Sequence, residues 1–109
     1  MYLIEAEAKA RLGNADATNI LFDFEKTRNP SYTLSTNTGQ ALVDEILLQR
    51  RIELWGEGFR FYDLKRTNSS LDRTGANHDS GITNGVMNVA PKDKRWQWLI
   101  PRAEINANP

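Results

Sequence analysis

QRRIELWGEGFRFYDLKR, residues 49–66, sets charged residues among apolar and aromatic ones at helical spacing. It continues a helix expected from about Gln40 to Leu54 or beyond, 40–56 in all. If that helix runs through Gly56, then Arg50, Glu53 and Glu57 fall within roughly 60° of one another around its axis. Ile46 lies between them on the wheel, and Leu42, Val43, Leu47 and Leu54 flank them. A charged column inside an apolar stripe predicts a buried network, because buried charge is tolerated only when paired and hydrogen-bonded. Arg50 can meet Glu53 at i,i+3, which leaves one acid over. Arg60 or Arg66 is expected to complete the set, with Arg28 or Arg11 available from upstream. Gly56 and Gly58 bracket a kink or turn, and FRFYDLKR, 59–66, then forms a short aromatic helix that adds Asp63. The expected structural charge network is therefore Arg50, Glu53, Glu57, Arg60, Asp63 and Arg66. Removing one partner of a buried pair costs about 3–5 kcal/mol, so Glu53→Ala is expected to be severe and Glu45→Ala, on the opposite flank, mild.

Upstream, residues 2–12 read as a helix with two apolar faces, Ile4/Ala8/Leu12 and Leu3/Ala6/Ala10. Glu5 with Lys9 and Glu7 with Arg11 form i,i+4 pairs in the favourable order. Gly13 stops this helix and Asn14 can cap the next. The second helix, 15–28, buries Ala17, Ile20, Leu21 and Phe24, and Asn29-Pro30 ends it. So short a break implies an antiparallel helical hairpin of the kind found in helical repeats. Downstream, residues 67–95 turn to Asn, Ser, Thr, Gly and Asp and read as a long irregular segment. Asn84-Gly85 between Ile82 and Val86 hints at a small hairpin. Trp96, Trp98 and Ile100 alternate as a short buried extended stretch would. Pro101 can open a last helical turn through Ile105. The expected fold is mainly α: a helical hairpin resembling tetratricopeptide repeats, further helices, and a long irregular C-terminal segment.

Composition narrows the chemistry. Lys plus Arg equals Asp plus Glu at 14 each, so no electrostatic footprint for nucleic acid or an anionic membrane is present. The absence of Cys removes thiolate and disulfide chemistry, and the single His78, in a polar loop, cannot build the usual zinc site. Asp72, Asn77, Asp79 and Asn84 lack the spacing of an EF-hand loop. Ser69 and Ser70 have no base placed by a motif, and neither a P-loop nor a dinucleotide fingerprint occurs. No cofactor and no metal are implied. Glu53 and Glu57 could be read as an acid/base pair for glycoside hydrolysis. Carboxylates already matched by Arg on one helix are held ionised, however, which favours a structural role. By residue type, Trp96 and Trp98 are the candidates for stacking on sugar, but alternation sends them to opposite sides of an extended chain.

Three strings resemble the C-terminal region of the SusD/RagB family, surface nutrient-binding lipoproteins of Bacteroidetes: YLIEAEAKARLGN at 2–14, DEILLQRRIELWGEGFRFYDLKR at 44–66 and WLIPRAEINANP at 98–109. The middle string is the most specific, with Arg50, Arg51, Glu53, Leu54, Glu57, Gly58, Arg60, Asp63, Leu64, Lys65 and Arg66 on the family pattern. The last resembles the family's Ile-Pro-x-x-Glu-Ile-x-x-Asn-Pro ending. The resemblance implies that 1–109 is the C-terminal part of a larger SusD-like domain, acting mainly as scaffold. It also implies non-catalytic capture of an oligosaccharide or other nutrient at the cell outer membrane, beside a SusC-like TonB-dependent transporter. Membrane attachment would be through a lipid anchor outside this chain. The motif residues look structural, and no glycan-binding residue carries over. The alternative is a tetratricopeptide-like module for protein–protein interaction, which the hairpin at 2–28 supports and the 49–66 string argues against.

Overall fold

The structure, a computed structural model, describes residues 1–107. The chain divides into two compact units, Met1–Glu57 and Gly58–Pro109.

The first unit holds α1 (Tyr2–Arg11), α2 (Ala17–Lys26) and α3 (Gly39–Glu53). α1 packs on both of the others. Its buried face is Leu3, Ala6 and Ala10, facing Ala17 and Leu21 of α2 and Leu42, Val43 and Ile46 of α3. The alanines let the helix backbones approach, and Leu21 and Ile46 are fully enclosed. Burying such a side chain contributes about 1.5–3 kcal/mol each. The second apolar face expected on α1 stays outside: Ile4 and Leu12 are 55% and 83% exposed. Both expected Glu-first pairs form, at 3.0 Å for Glu5–Lys9 and 2.8 Å for Glu7–Arg11. Gly13, at φ +70°, ends α1 in a Schellman motif, with its N–H on the Ala10 carbonyl and the Asn14 N–H on that of Lys9. Asn14 Oδ1 accepts from the Asp16 N–H at 2.9 Å, but α2 begins at Ala17 with Asp16 in the N-cap position and ends at Lys26, two residues inside its expected bounds at each end.

α3 ends at Glu53, three residues short of its expected reach. Gly56 and Gly58, at φ +81° and +78°, take the left-handed conformation that glycine adopts without a Cβ penalty, and the chain turns there. A single helical wheel therefore does not extend from Arg50 to Glu57.

The second unit opens with α4 (Phe59–Arg66), as expected. The segment 67–95 is less irregular than its composition suggests. β1 (Leu71–Asp72) pairs antiparallel with β2 (Asn88–Val89), and α5 (Ser80–Thr83) lies between them. The hairpin expected about Asn84-Gly85 does not form, since Ile82 lies within α5. Asp79 Oδ1 accepts the N–H groups of Gly81 and Ile82 and nucleates a helical turn, which the left-handed Asn84 and Gly85 then end. A 3-10 turn (Lys94–Trp96) is capped by Asp93. Leu64, Val89 and Trp96 form this unit's core, edged by Phe61, Leu71 and Val86. Of the expected buried stretch only Trp96 is inside; Trp98 and Ile100 are 84% and 66% exposed. α6 (Arg102–Ala107) follows Pro101, whose carbonyl accepts from Glu104 and Ile105. Asn108 and Pro109 of the final motif lie outside the described residues. The mainly helical fold read from the sequence is the one observed.

Candidate functional site

Two ion pairs involving the expected network residues are Arg28–Glu53 and Asp63–Arg66. Glu53 accepts from Arg28 of the α2 exit, from Nη2 to Oε1 at 2.7 Å and from Nε, shared between Oε2 at 3.1 Å and Oε1 at 3.2 Å. Arg28 also lies over the Phe24 ring, 5.3 Å from its centroid. The partner is thus the upstream arginine rather than Arg60 or Arg66, because α3 stops at Glu53 and runs that residue beside the end of α2. The hydrogen bond from Arg28 holds the Glu53 carboxyl below the usual range. Arg50 is half-buried and Glu57 is exposed, which corrects the expectation of a buried column. In the second unit Arg66 Nε donates to Asp63 Oδ1 at 2.7 Å, and Asp63 is 7% exposed. Arg60 is exposed on α4.

Two carboxylates of the first unit behave in opposite ways. Glu45 accepts from the Tyr32 hydroxyl at 2.6 Å, from the Asn37 amide at 2.8 Å, and from the Ser35 hydroxyl. Burial alone would raise its pKa, but the three donors outweigh burial and hold it below the usual carboxylate value. Tyr32 is pushed up, first by burial and then by its bond to Glu45. Glu45 therefore pins the 29–38 loop, a role that the helical wheel, which has no term for loops, could not reveal. The signal was present as Tyr, Ser and Asn donors ahead of one mid-helix acid. Glu25, 7% exposed, is pushed up by burial and then by the charge of Glu53, with Arg28 opposing.

A concave feature of the second unit is a cleft of about 600 Å³, floored by Leu64 and Trp96 and rimmed by Lys65, Asn68, Lys92 and Gln97. The Trp96 indole is fixed by its Nε1–H on the Ala90 carbonyl at 2.7 Å and by Phe61, 5.5 Å away between ring centroids. Asn68 ends α4 in a second Schellman motif, with its N–H on Lys65 and the Ser69 N–H on Leu64. The sequence reading missed this cleft because its walls come from segments 23 or more residues apart (Leu64–Ser69 and Lys92–Gln97).

Two of the loop carboxylates considered for calcium are used locally. Asp72 accepts the Thr74 N–H at 2.8 Å, Asp79 caps α5, and Asn77 and Asn84 take left-handed turns. His78 is exposed, and among the described residues no group of three or more His, Asp or Glu is placed to hold a metal. Ser69 shares a hydrogen bond with Thr67 at 2.9 Å.

Comparison with known proteins places this architecture. The family model for the SusD family matches residues 1–109. A SusD-like protein, P38, of Formosa agariphila is 34% identical over 84 residues, covering 69% of this chain and 17% of that protein. The crystal structure of a SusD-like carbohydrate-binding protein from Bacteroides vulgatus superposes with a TM-score of 0.76 at 33% identity, covering 98% of this chain and 27% of that one. The chain thus spans 17% and 27% of the lengths of these relatives. With the family pattern matched from end to end and the helices superposing on a solved member, the chain belongs to the SusD family.

Proposed function

We propose that this chain is the C-terminal part of a non-catalytic glycan- or nutrient-binding protein of the cell outer membrane, working beside a SusC-like TonB-dependent transporter. The carrying observation is the superposition on a carbohydrate-binding SusD-like protein over 98% of the chain. Residues 1–57 supply scaffold, and the Arg28–Glu53 and Asp63–Arg66 pairs serve structure rather than chemistry. Placement within a longer domain is supported by the large apolar side chains left outside in each unit. Leu12 and Trp55 are 83% and 85% exposed in the first, and Trp98 and Leu99 are 84% and 83% exposed in the second. Surface exposure follows from the family; no described helix is long and apolar enough to cross a membrane.

Affinity electrophoresis through gels cast with a panel of polysaccharides tests this reading. Retarded migration with no reducing sugar released is expected. Sugar release that disappears in Glu57→Gln would contradict it. The transporter partnership is tested by co-purification from detergent-solubilised outer membranes, where a TonB-dependent receptor in stoichiometric amount is expected and its absence would refute that part.

A further inference from the structure

Among the described residues, the left-handed region of backbone space is occupied by glycines, by Asn68, Asn77 and Asn84, and by one lysine, Lys92 at φ +60°. The asparagines need little explanation, because a short amide side chain tolerates this conformation. Lys92 does. It follows Pro91 in the turn Ala90–Asp93, where the Asp93 N–H reaches the Ala90 carbonyl at 3.4 Å. Proline at the second position and positive φ at the third define a type II turn, and the third position of such a turn favours glycine or asparagine. A lysine held there is strained, and strain of this kind gathers at functional sites. Lys92 lines the 600 Å³ cleft.

The charge of the cleft points the same way. Lys65 and Lys92 both line it, and among the described residues neither forms an ion pair with a carboxylate; Lys65 rests 5.9 Å from the Phe61 centroid. The acid of the cleft, Asp93, is committed to Arg95 through contacts at 2.8 Å to each carboxylate oxygen. Two lysines without a carboxylate partner therefore border a volume within the range of small-ligand sites. Leu64 and Trp96, 3% and 7% exposed, close its floor, and the Asn68 and Gln97 amides at its rim offer hydrogen bonds to hydroxyls.

We infer that this cleft binds an acidic saccharide, an oligosaccharide carrying carboxylate or sulfate groups, with Lys92 and Lys65 receiving the anionic groups. The inference rests on the glycan-binding reading and narrows it to a ligand class.

Calorimetric titration of the full chain tests it, using a galacturonate hexamer, a sulfated galactan hexamer, a neutral galactose hexamer and inorganic sulfate at one ionic strength. At least one acidic hexamer is expected to bind tenfold or more tightly than the neutral one, and inorganic sulfate more weakly than either. Lys92→Gly is expected to remove most of that preference and to keep the melting midpoint at or above the parent value because the turn is relaxed. Lys92→Arg is expected to retain the preference. Equal binding of neutral and acidic hexamers would overturn this inference and leave the glycan-binding reading standing. So would a preference that survives Lys92→Gly and Lys65→Gln, or sulfate binding as tight as the hexamer. Failure of both acidic hexamers to bind would likewise overturn this inference, while the glycan-binding reading is overturned by its own polysaccharide panel.

Discussion

Residues 1–57 and residues 58–107 are stabilised on different plans. The first unit buries eight apolar side chains drawn from three helices, so that each helix contributes to one continuous core. The second buries three among its described residues, Leu64, Val89 and Trp96, and follows α4 with capped turns, a two-residue ladder and two short helices. Regions with few buried apolar contacts open locally at lower free energy than packed helices do. A helical array is thus suited to carry load, and a turn-rich unit is suited to present loops. In this chain the cleft and the strained Lys92 both occur in the second.

The sharpest way to break this contrast is Trp96→Ala. Large-to-small changes at a buried Trp cost about 3–5 kcal/mol, and here the loss removes the centre of a small core. Amide spectra of the variant should show residues 58–107 collapsed to random-coil shifts while residues 1–57 keep theirs. Collapse of both would mean that the units fold as one.

Ile46→Ala probes the other side. A fully enclosed aliphatic residue truncated to Ala costs about 2–5 kcal/mol. Because Ile46 belongs to the three-helix core, helical circular dichroism should fall in one cooperative step at lower urea. A broad, multistep loss would show that the first unit is not one core.

The next effect reverses an expectation drawn from the sequence. Glu45→Ala should cost about 1–3 kcal/mol, because it strands the Tyr32, Ser35 and Asn37 donors. Glu53→Ala should cost less, since the pair it forms with Arg28 is open to solvent on the arginine side. Equal urea midpoints for the two would refute this ordering. The Glu45 contribution also has a pH signature. Its folded pKa lies below the ordinary 4.5, so its stabilisation is present above 4.5 and is lost as pH falls through the folded value.

Glu25→Gln should give the smallest change, with the opposite sign. The folded pKa of Glu25 is raised, so its contribution is present below 4.5 and is lost as pH rises through the raised value. At pH 7 the buried charge, facing Glu53 and Glu45 with Arg28 opposing, is a burden that glutamine removes. A slightly higher melting midpoint for Glu25→Gln at pH 7, with the gain vanishing near pH 4, is expected; a lower midpoint at pH 7 would contradict it.

Much of the first unit was legible because its signals are local. The Leu3/Ala6/Ala10 spacing, Gly13 as a stop and the Glu–Lys and Glu–Arg pairs each act within a turn or two of helix. The charged column misled because a wheel assumes a continuous axis, and the left-handed Gly56 and Gly58 break it. Glu45 was misjudged for a related reason: a wheel places a residue on a face but holds no record of a loop folding back onto that face. In the second unit α4 was readable from its own pattern. Pairing Leu71 with Val89 joins residues far apart in sequence, and a two-residue strand leaves too short an alternation to detect. The cleft was invisible for the same reason, being assembled from a helix end and a proline turn.

Capture of a saccharide by the second unit, without chemistry on it, can be read in one titration. Amide resonances of the labelled chain would be followed as galacturonate hexamer is added, with the hexamer's own anomeric signals recorded in the same tube. Saturable shifts at residues 64–69 and 92–97, quiet resonances through residues 2–53, and anomeric signals unchanged after a day are the expected result. New reducing-end signals, or shifts centred on the first unit's helices, would contradict it.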